Sequence, residues 1–593
     1  MLPYINVPFE GLADLTGTSA DELKLIFSFL LSYPLAGLLK RLPDAKPYQK
    51  NLFVIGVSLF YLIGLFDLWG GIQTLAISSI GAYVIAAYVQ GPLMPWYGFI
   101  FLMGHMSVSH IYRQIANTPS TVDITGAQMV LVMKLTAFCW NVFDGRLPEQ
   151  DLVDFQKNHL VKEMPDLLSY TAWILWFPSL FAGPAFDYVD YERWLETSMF
   201  ELPAGTDPAQ APKVRKNRKI PRSGTPAAWK ALQGLGWIFL FLKMSAWYNN
   251  DVVLGQEFTT YSFWRRVWHL QMLGFTTRLK YYGVWFLTEG ACILSGLGYK
   301  GVDPKTGKIN WDRLQNVNPL GIELAQNSRA YLENWNMNTN KWLRNYVYLR
   351  VTPKGKKPGF RASLATFATS AFWHGFYPGY YLSFILAAFI QTTAKNFRRH
   401  IRPFFLTPDG QRPTAYKPLY DIATYFFTQI IFSFTTAPFV LLNLPDCILV
   451  WSRVYFYVIF LVGGSLALFA TPPIKSMLKN QLRTYQGVQT TTTARTSKST
   501  TTAGKDEDED IGSDLTRIPS LQQTPILGMP DDPQRAFEEA AAEIRAEVEN
   551  RRRRGSLARM PQGEDLKRMV EDRLGVRLPG FVGGGKMKMK KDA

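Results

Sequence analysis

Cysteine is scarce. The 593 residues contain three, Cys139, Cys292 and Cys447, each in or beside an apolar run and none at a paired spacing. That excludes a disulfide framework and a thiolate zinc site. The six histidines are scattered, and His105 and His110 lack a clear partner set, so no metal site is expected. Charged residues make up only 19% of the chain. The N-terminus lacks the ordered basic, apolar and small-residue regions of a cleaved signal peptide. Covalent catalysis finds little support: Cys292 follows Glu289-Gly290-Ala291 but has no histidine beside it in sequence.

What the chain does have is apolar and aromatic, at 47% and 14% of residues. Its mean hydropathy is nevertheless near zero, because the end of the chain is very polar. From residue 471 onward there are 22 Lys/Arg and 18 Asp/Glu, so most of the +17 net charge sits on the hydrophobic part. A basic excess between apolar runs suits loops facing an anionic leaflet or a polyanionic substrate, and it disfavours nucleic acid as a partner. Apolar runs lie near 23–39, 52–69, 71–89, 94–112, 127–143, 169–184, 228–247, 266–287, 363–390, 421–444 and 448–470. Several have the roughly 20 residues a helix needs to cross a bilayer. In lipid the backbone must pair with itself, so the spans are helices. The expected fold is all-α, a polytopic membrane helical bundle with about 9–11 membrane helices, some re-entrant or broken.

The loops carry further information. Six of the ten residues from Lys213 to Arg222 are basic, which places that loop in the cytosol. A second basic stretch, Lys341 to Arg361, interleaves with Trp342, Tyr346 and Tyr348, as in a helix lying along the interface. Arg398, Arg399 and Arg402 also read as cytosolic, yet only the 28 residues 363–390 separate them from the previous basic stretch. That is too short for two spans, so a break is expected around His374-Gly375 and Pro378-Gly379.

Two domains follow: a multi-pass membrane domain, 1–470, and a polar tail, 471–593, mostly disordered. Asp532 and Pro533 start a helix expected to run to Arg553. The chain ends Lys590-Lys591-Asp592-Ala593, which looks like the dilysine retrieval signal of endoplasmic-reticulum membrane proteins. It predicts a cytosolic tail recognised by a retrieval coat; a merely solvated, lysine-rich end is the competing view.

Two polar patterns stand out. One is Trp335-Asn336-Met337-Asn338-Thr339-Asn340-Lys341-Trp342; the other is Phe372-Trp373-His374-Gly375, inside an apolar run. A histidine in such a run is costly to bury without a partner or a task. Alone, it is more often a hydrogen-bonded structural group, and Asn336 and Asn338 could cap helices.

Together the patterns WNMNTNKWLRNYVYLR and SAFWHGFYPGYY resemble the membrane-bound O-acyltransferase family, most of all its fungal broad-specificity lysophospholipid acyltransferases. Trp176-Phe177-Pro178 through Pro184 and Thr288-Glu289-Gly290-Ala291 through Tyr299 support the match, which covers roughly the first 470 residues. The resemblance implies transfer of a fatty acyl group from acyl-CoA, as co-substrate, to the hydroxyl of a lysophospholipid inside an intramembrane reaction chamber, with no cofactor. It implies His374 and Asn336 as the catalytic residues. Glu289 matches an acidic position of the lysophospholipid branch and would bind substrate. Asn338, Trp342 and Trp373 would pack beside or line the substrate pocket, Tyr377 suits a substrate chamber or equally an interfacial aromatic belt, and Asp144 would hold a structural salt bridge.

Residue chemistry agrees with this. A neutral histidine can take the hydroxyl proton, and an asparagine amide can donate to the oxyanion. The CoA phosphates would suit the Lys341 to Arg361 stretch, with Lys354, Lys356 and Lys357. A transporter or lipid scramblase, or an acyltransferase for a sterol, diacylglycerol or protein acceptor, remain as alternatives.

Overall fold

A computed structural model of the chain describes residues 5–487 apart from 17–18, 117–121, 203–211, 216–217, 304–305 and 353–359. The region expected to form a helix at 532–553 and the Lys590-Lys591 terminus lie outside the described residues, as do Lys354, Lys356 and Lys357.

The described chain is helical apart from one small antiparallel hairpin, Gly301–Val302 with Ile309–Asn310, which the apolar pattern did not announce. The longer helices are α1 (Asn6–Thr16), α2 (Ala20–Leu39), α3 (Pro47–Leu59), α4 (Trp69–Tyr88), α5 (Met94–Ala116) and α6 (Thr125–Gly145). They continue with α7 (Leu167–Ile174), α8 (Tyr188–Leu195), α9 (Gly224–Ser245), α10 (Phe263–Ser295) and α11 (Met337–Leu343). The last are α12 (Phe360–His374), α13 (Pro378–His400), α14 (Lys417–Leu441), α15 (Leu444–Arg453), α16 (Tyr457–Ala470) and α17 (Pro472–Tyr485).

Among the described residues, five helices are long and apolar enough to cross a membrane: α2, α3 with its π-helical extension to Leu65, α4, α6 and α14. A sixth span arises if α15 and α16, bent by 80°, count as one. The chain is therefore a polytopic helical membrane protein. α5, α9, α10 and α13 are as long but more polar, which is why apolar runs overcount uninterrupted spans. The run 169–184 is no span: α7 ends at Ile174, and Phe177–Ser179 form one 3-10 turn at Pro178.

Among the described residues two compact units can be told apart. One comprises Met1–Tyr346, Thr369–Ala387 and Ala415–Gly464; the other comprises Val347–Ala368, Ala388–Thr414 and the chain from Ser465. Inside the second unit, Phe397 packs edge-on against Phe469 at 5.2 Å, and the Tyr485 hydroxyl donates to Leu406 O at 2.6 Å. The candidate catalytic and pocket residues from Glu289 to Tyr377 lie in the first.

The break expected near His374 is present. α12 ends at His374, Gly375 has φ +114, and α13 starts at Pro378. Gly379 follows as a close-approach glycine, since a Cβ there would sit 2.0 Å from Pro438 O of α14. One expectation is corrected. Trp342, Tyr346 and Tyr348 are buried, at 4%, 4% and 6% exposure, so the stretch after Lys341 does not present its aromatics as an interfacial helix would. Their polar tips find protein partners, as Trp342 Nε1 and the Tyr346 hydroxyl show below.

Candidate active site

α6 is the platform of the site. Its sequence mixes apolar residues with Gln128, Lys134, Thr136, Asn141 and Asp144, all buried. Polar groups at membrane depth face protein or a cavity, and 78% of the apolar stretch of α6 is indeed buried. Trp373 Nε1 donates to Met129 O at 3.0 Å, and Trp342 Nε1 donates to Thr136 Oγ1 at 2.9 Å. Between them the Thr339 hydroxyl lies 3.4 Å from Met133 Sδ. Positions 129, 133 and 136 share one face of a helix. The asparagine and histidine patterns therefore dock on the same stripe, with the Trp342 and Trp373 rings 6.2 Å apart.

His374 is the last residue of α12. Its Nδ1 lies 2.7 Å from Ser370 O. A carbonyl can only accept, so Nδ1 carries the proton and Nε2 carries the lone pair. Nε2 has no hydrogen-bond partner among the described residues. Aromatic rings surround the imidazole: Trp373 at 4.6 Å, Phe384 at 5.0 Å, Phe439 at 5.1 Å and Tyr380 at 5.6 Å. Tyr377 stands one ring further out, 6.3 Å from Tyr380.

His110 of α5 steadies the same turn. Its Nε2–H donates to Trp373 O at 3.1 Å, and its Nδ1 would meet a Cβ on Gly375 at 3.0 Å. Sequence reasoning found no partner for His110, because that partner is a backbone carbonyl 263 residues away. His105 pairs instead with Ser78 Oγ at 2.9 Å.

The three asparagines of the first pattern have different lives. Asn338 is buried, and its Nδ2 donates to Asn316 Oδ1 at 3.0 Å and Gln315 O at 3.3 Å. Asn340 Nδ2 donates to Leu332 O and Trp335 O at 2.7 and 2.8 Å. Both amides stitch the chain. Asn336 sits at the start of α11 with φ +44, a left-handed conformation that asparagine tolerates. Its Oδ1 accepts from the Thr339 hydroxyl at 2.8 Å, while its Nδ2 has no partner among the described residues. The neighbouring Trp335 is anchored in an aromatic cluster, 5.0 Å from Trp285 and 5.5 Å from Tyr281.

A cavity of about 270 Å³ opens beside the stripe, walled by Met133, Lys134, Asp187, Asn338, Lys341 and Trp342 among others. Around it Arg313 pairs with Asp190 at 2.6 Å and Lys300 with Asp312 at 3.2 Å. Burial raises the Asp187 carboxyl above the usual carboxylate range, and His159 at 3.7 Å partly offsets this. The Tyr346 hydroxyl lies 2.8 Å from Asp187 Oδ2 and 3.0 Å from Asn141 Oδ1. Glu289, on α10 and 1% exposed, is not in this wall; its Oε1 lies 2.9 Å from Lys230 Nζ of α9. Asp144 Oδ1 accepts from Gln156 Nε2 at 2.8 Å.

Residues 111–436 match the model of MBOAT, the membrane-bound O-acyltransferase family. The chain is 46% identical over 483 residues to the lysophospholipid acyltransferase of Schizosaccharomyces pombe, covering 82% of this chain and 92% of that one. It is 44% identical over 469 residues to the lysophospholipid acyltransferase of Saccharomyces cerevisiae, covering 78% of this chain and 76% of that one. Human membrane-bound glycerophospholipid O-acyltransferase 2 is 28% identical over 429 residues, 71% of this chain and 78% of that one. With the two motifs seated together on α6 and the family match spanning both, the chain belongs to the membrane-bound O-acyltransferase family.

Proposed function

We propose that this enzyme transfers a fatty acyl group from acyl-CoA to the free hydroxyl of a lysophospholipid. The observation that carries the reading is the tautomer of His374. Ser370 O holds the proton on Nδ1, so Nε2 is a lone-pair base in an aromatic, water-poor setting. Nε2 takes the acceptor's hydroxyl proton as the oxygen attacks the thioester carbon. The tetrahedral oxyanion is held by the unengaged Asn336 Nδ2, whose carbonyl end is already tied to Thr339. Collapse breaks the C–S bond, and the thiolate leaves with the proton from the imidazolium, giving phospholipid and free CoA. The names borne by the fungal relatives support the acceptor class. We place the protein in the endoplasmic-reticulum membrane, with the basic Lys213 to Arg222 loop in the cytosol.

The test is His374→Ala in microsomes, assayed by free-thiol release with a lysophospholipid acceptor. Turnover should fall by about 100- to 10,000-fold while the protein still accumulates. Wild-type turnover in the purified variant would sink the reading.

A further inference from the structure

Lys134 is a charge without an obvious purpose. It lies in the middle of α6, inside a membrane-crossing segment, and is 3% exposed. Its Nζ donates to Trp173 O at 2.5 Å and lies 3.4 Å from Ile174 O, the closing carbonyls of α7. It also stands 4.8 and 4.7 Å from the ring centroids of Trp173 and Phe186. No carboxylate lies within ion-pair distance among the described residues. The carbonyl end of a helix supplies about half a negative charge, and aromatic faces add a weaker attraction. Any charge on Nζ is thus only partly compensated, at a depth where that is expensive.

Lys134 lines the cavity beside Trp342. Of the four lysine and arginine side chains in the wall, Arg313 and Lys300 are engaged by Asp190 and Asp312. Lys341, one position before Trp342, lines the cavity and likewise has no carboxylate within ion-pair distance among the described residues, although Asp312 and Asp190 attract it from further off. Asp187 does not neutralise either lysine, since its contacts run to Tyr346 and His159. Two amino groups that form no ion pair among the described residues, one on α6 and one on α11, thus line one void.

We propose that Lys134 and Lys341 together seat a phosphate group of a substrate. This deepens the acyl-transfer reading and rests on it. Two substrates of that reaction carry the chemistry: the phosphodiester of the lysophospholipid and the phosphates of CoA. The wall also contains Met133 and Asn338, neighbours of the stripe that holds both motifs, so a phosphate seated here positions the rest of its molecule toward Trp342 and Trp373.

The experiment uses the purified full-length protein with Lys134→Met, which keeps the apolar stem, and Lys341→Gln, which alters an exposed side chain and should fold. KM is measured separately for lysophosphatidylcholine and for oleoyl-CoA, and binding of lysophosphatidylcholine and of CoA is measured directly without turnover. Each variant should raise one KM by about tenfold or more and weaken binding of the same compound, with kcat within a few-fold of wild type. An effect in the lysophosphatidylcholine arm assigns the seat to the lipid phosphate; an effect in the CoA arm assigns it to CoA. Should Lys134→Met not fold, Lys341→Gln decides the matter. Both KM values and both affinities within twofold of wild type overturn the proposal while leaving the acyl-transfer reading intact. A wild-type protein that releases no CoA sinks that reading instead, and the binding arms still report on the seat.

Discussion

α4 and α6 are both about 20 residues long and similarly apolar, yet 33% of one apolar stretch is buried against 78% of the other. α4 turns Ile77, Ile80, Val84 and Tyr88 outward, at 45% exposure or more. The polar residues of α6, by contrast, fall on several of its sides, and each is buried. Average hydropathy decides that a helix can sit in a membrane. The placement of its polar groups decides whether it can face lipid, because every such group must find a partner inside protein. α6 uses those partners to hold the two motifs in place, and α4 has no comparable task.

The sharpest test of this contrast is at the residue that α6 positions indirectly through Thr339. Asn336→Ala should lower kcat by about 100- to 1,000-fold with a small change in KM, as measured by CoA release. Asn338→Ala, two positions on, should instead act on stability; an equal loss of kcat in both would erase the distinction between the free amide and the stitched one. Gly375→Ala should cost about 1–3 kcal/mol through the strained φ and push against His110, seen as a lower melting temperature in detergent with reduced kcat. Thr136→Val leaves the buried Trp342 N–H without its acceptor and should destabilise by about 1–3 kcal/mol. Ile80→Ala on α4, at a 64% exposed position, should stay within about 0.5 kcal/mol of wild type. A large effect at Ile80 together with none at Thr136 would reverse the comparison.

Much of the fold was legible in the run lengths, and the break at His374-Gly375 followed from counting the residues between two basic stretches. The candidate residues were legible as motifs, and Trp342 and Trp373 do come together. What each polar group does there was not legible. His110 carries no local signal, since it serves a carbonyl far along the chain. Lys134 is a lone charge in an apolar run of the sequence, and only the bundle shows that it lines a cavity. Glu289 stood out as an acidic candidate, and only the structure shows its pairing with Lys230.

The amino-acid order alone determined that the chain is helical, membrane-embedded and broken beside a histidine, because hydrophobic length and glycine–proline punctuation are local properties. Tertiary structure alone decided which of three asparagines keeps a free amide, which imidazole nitrogen is bare, and which lysines form no ion pair. Those states depend on hydrogen-bond and ion-pair partners, some of them hundreds of residues away, that meet only when the helices pack.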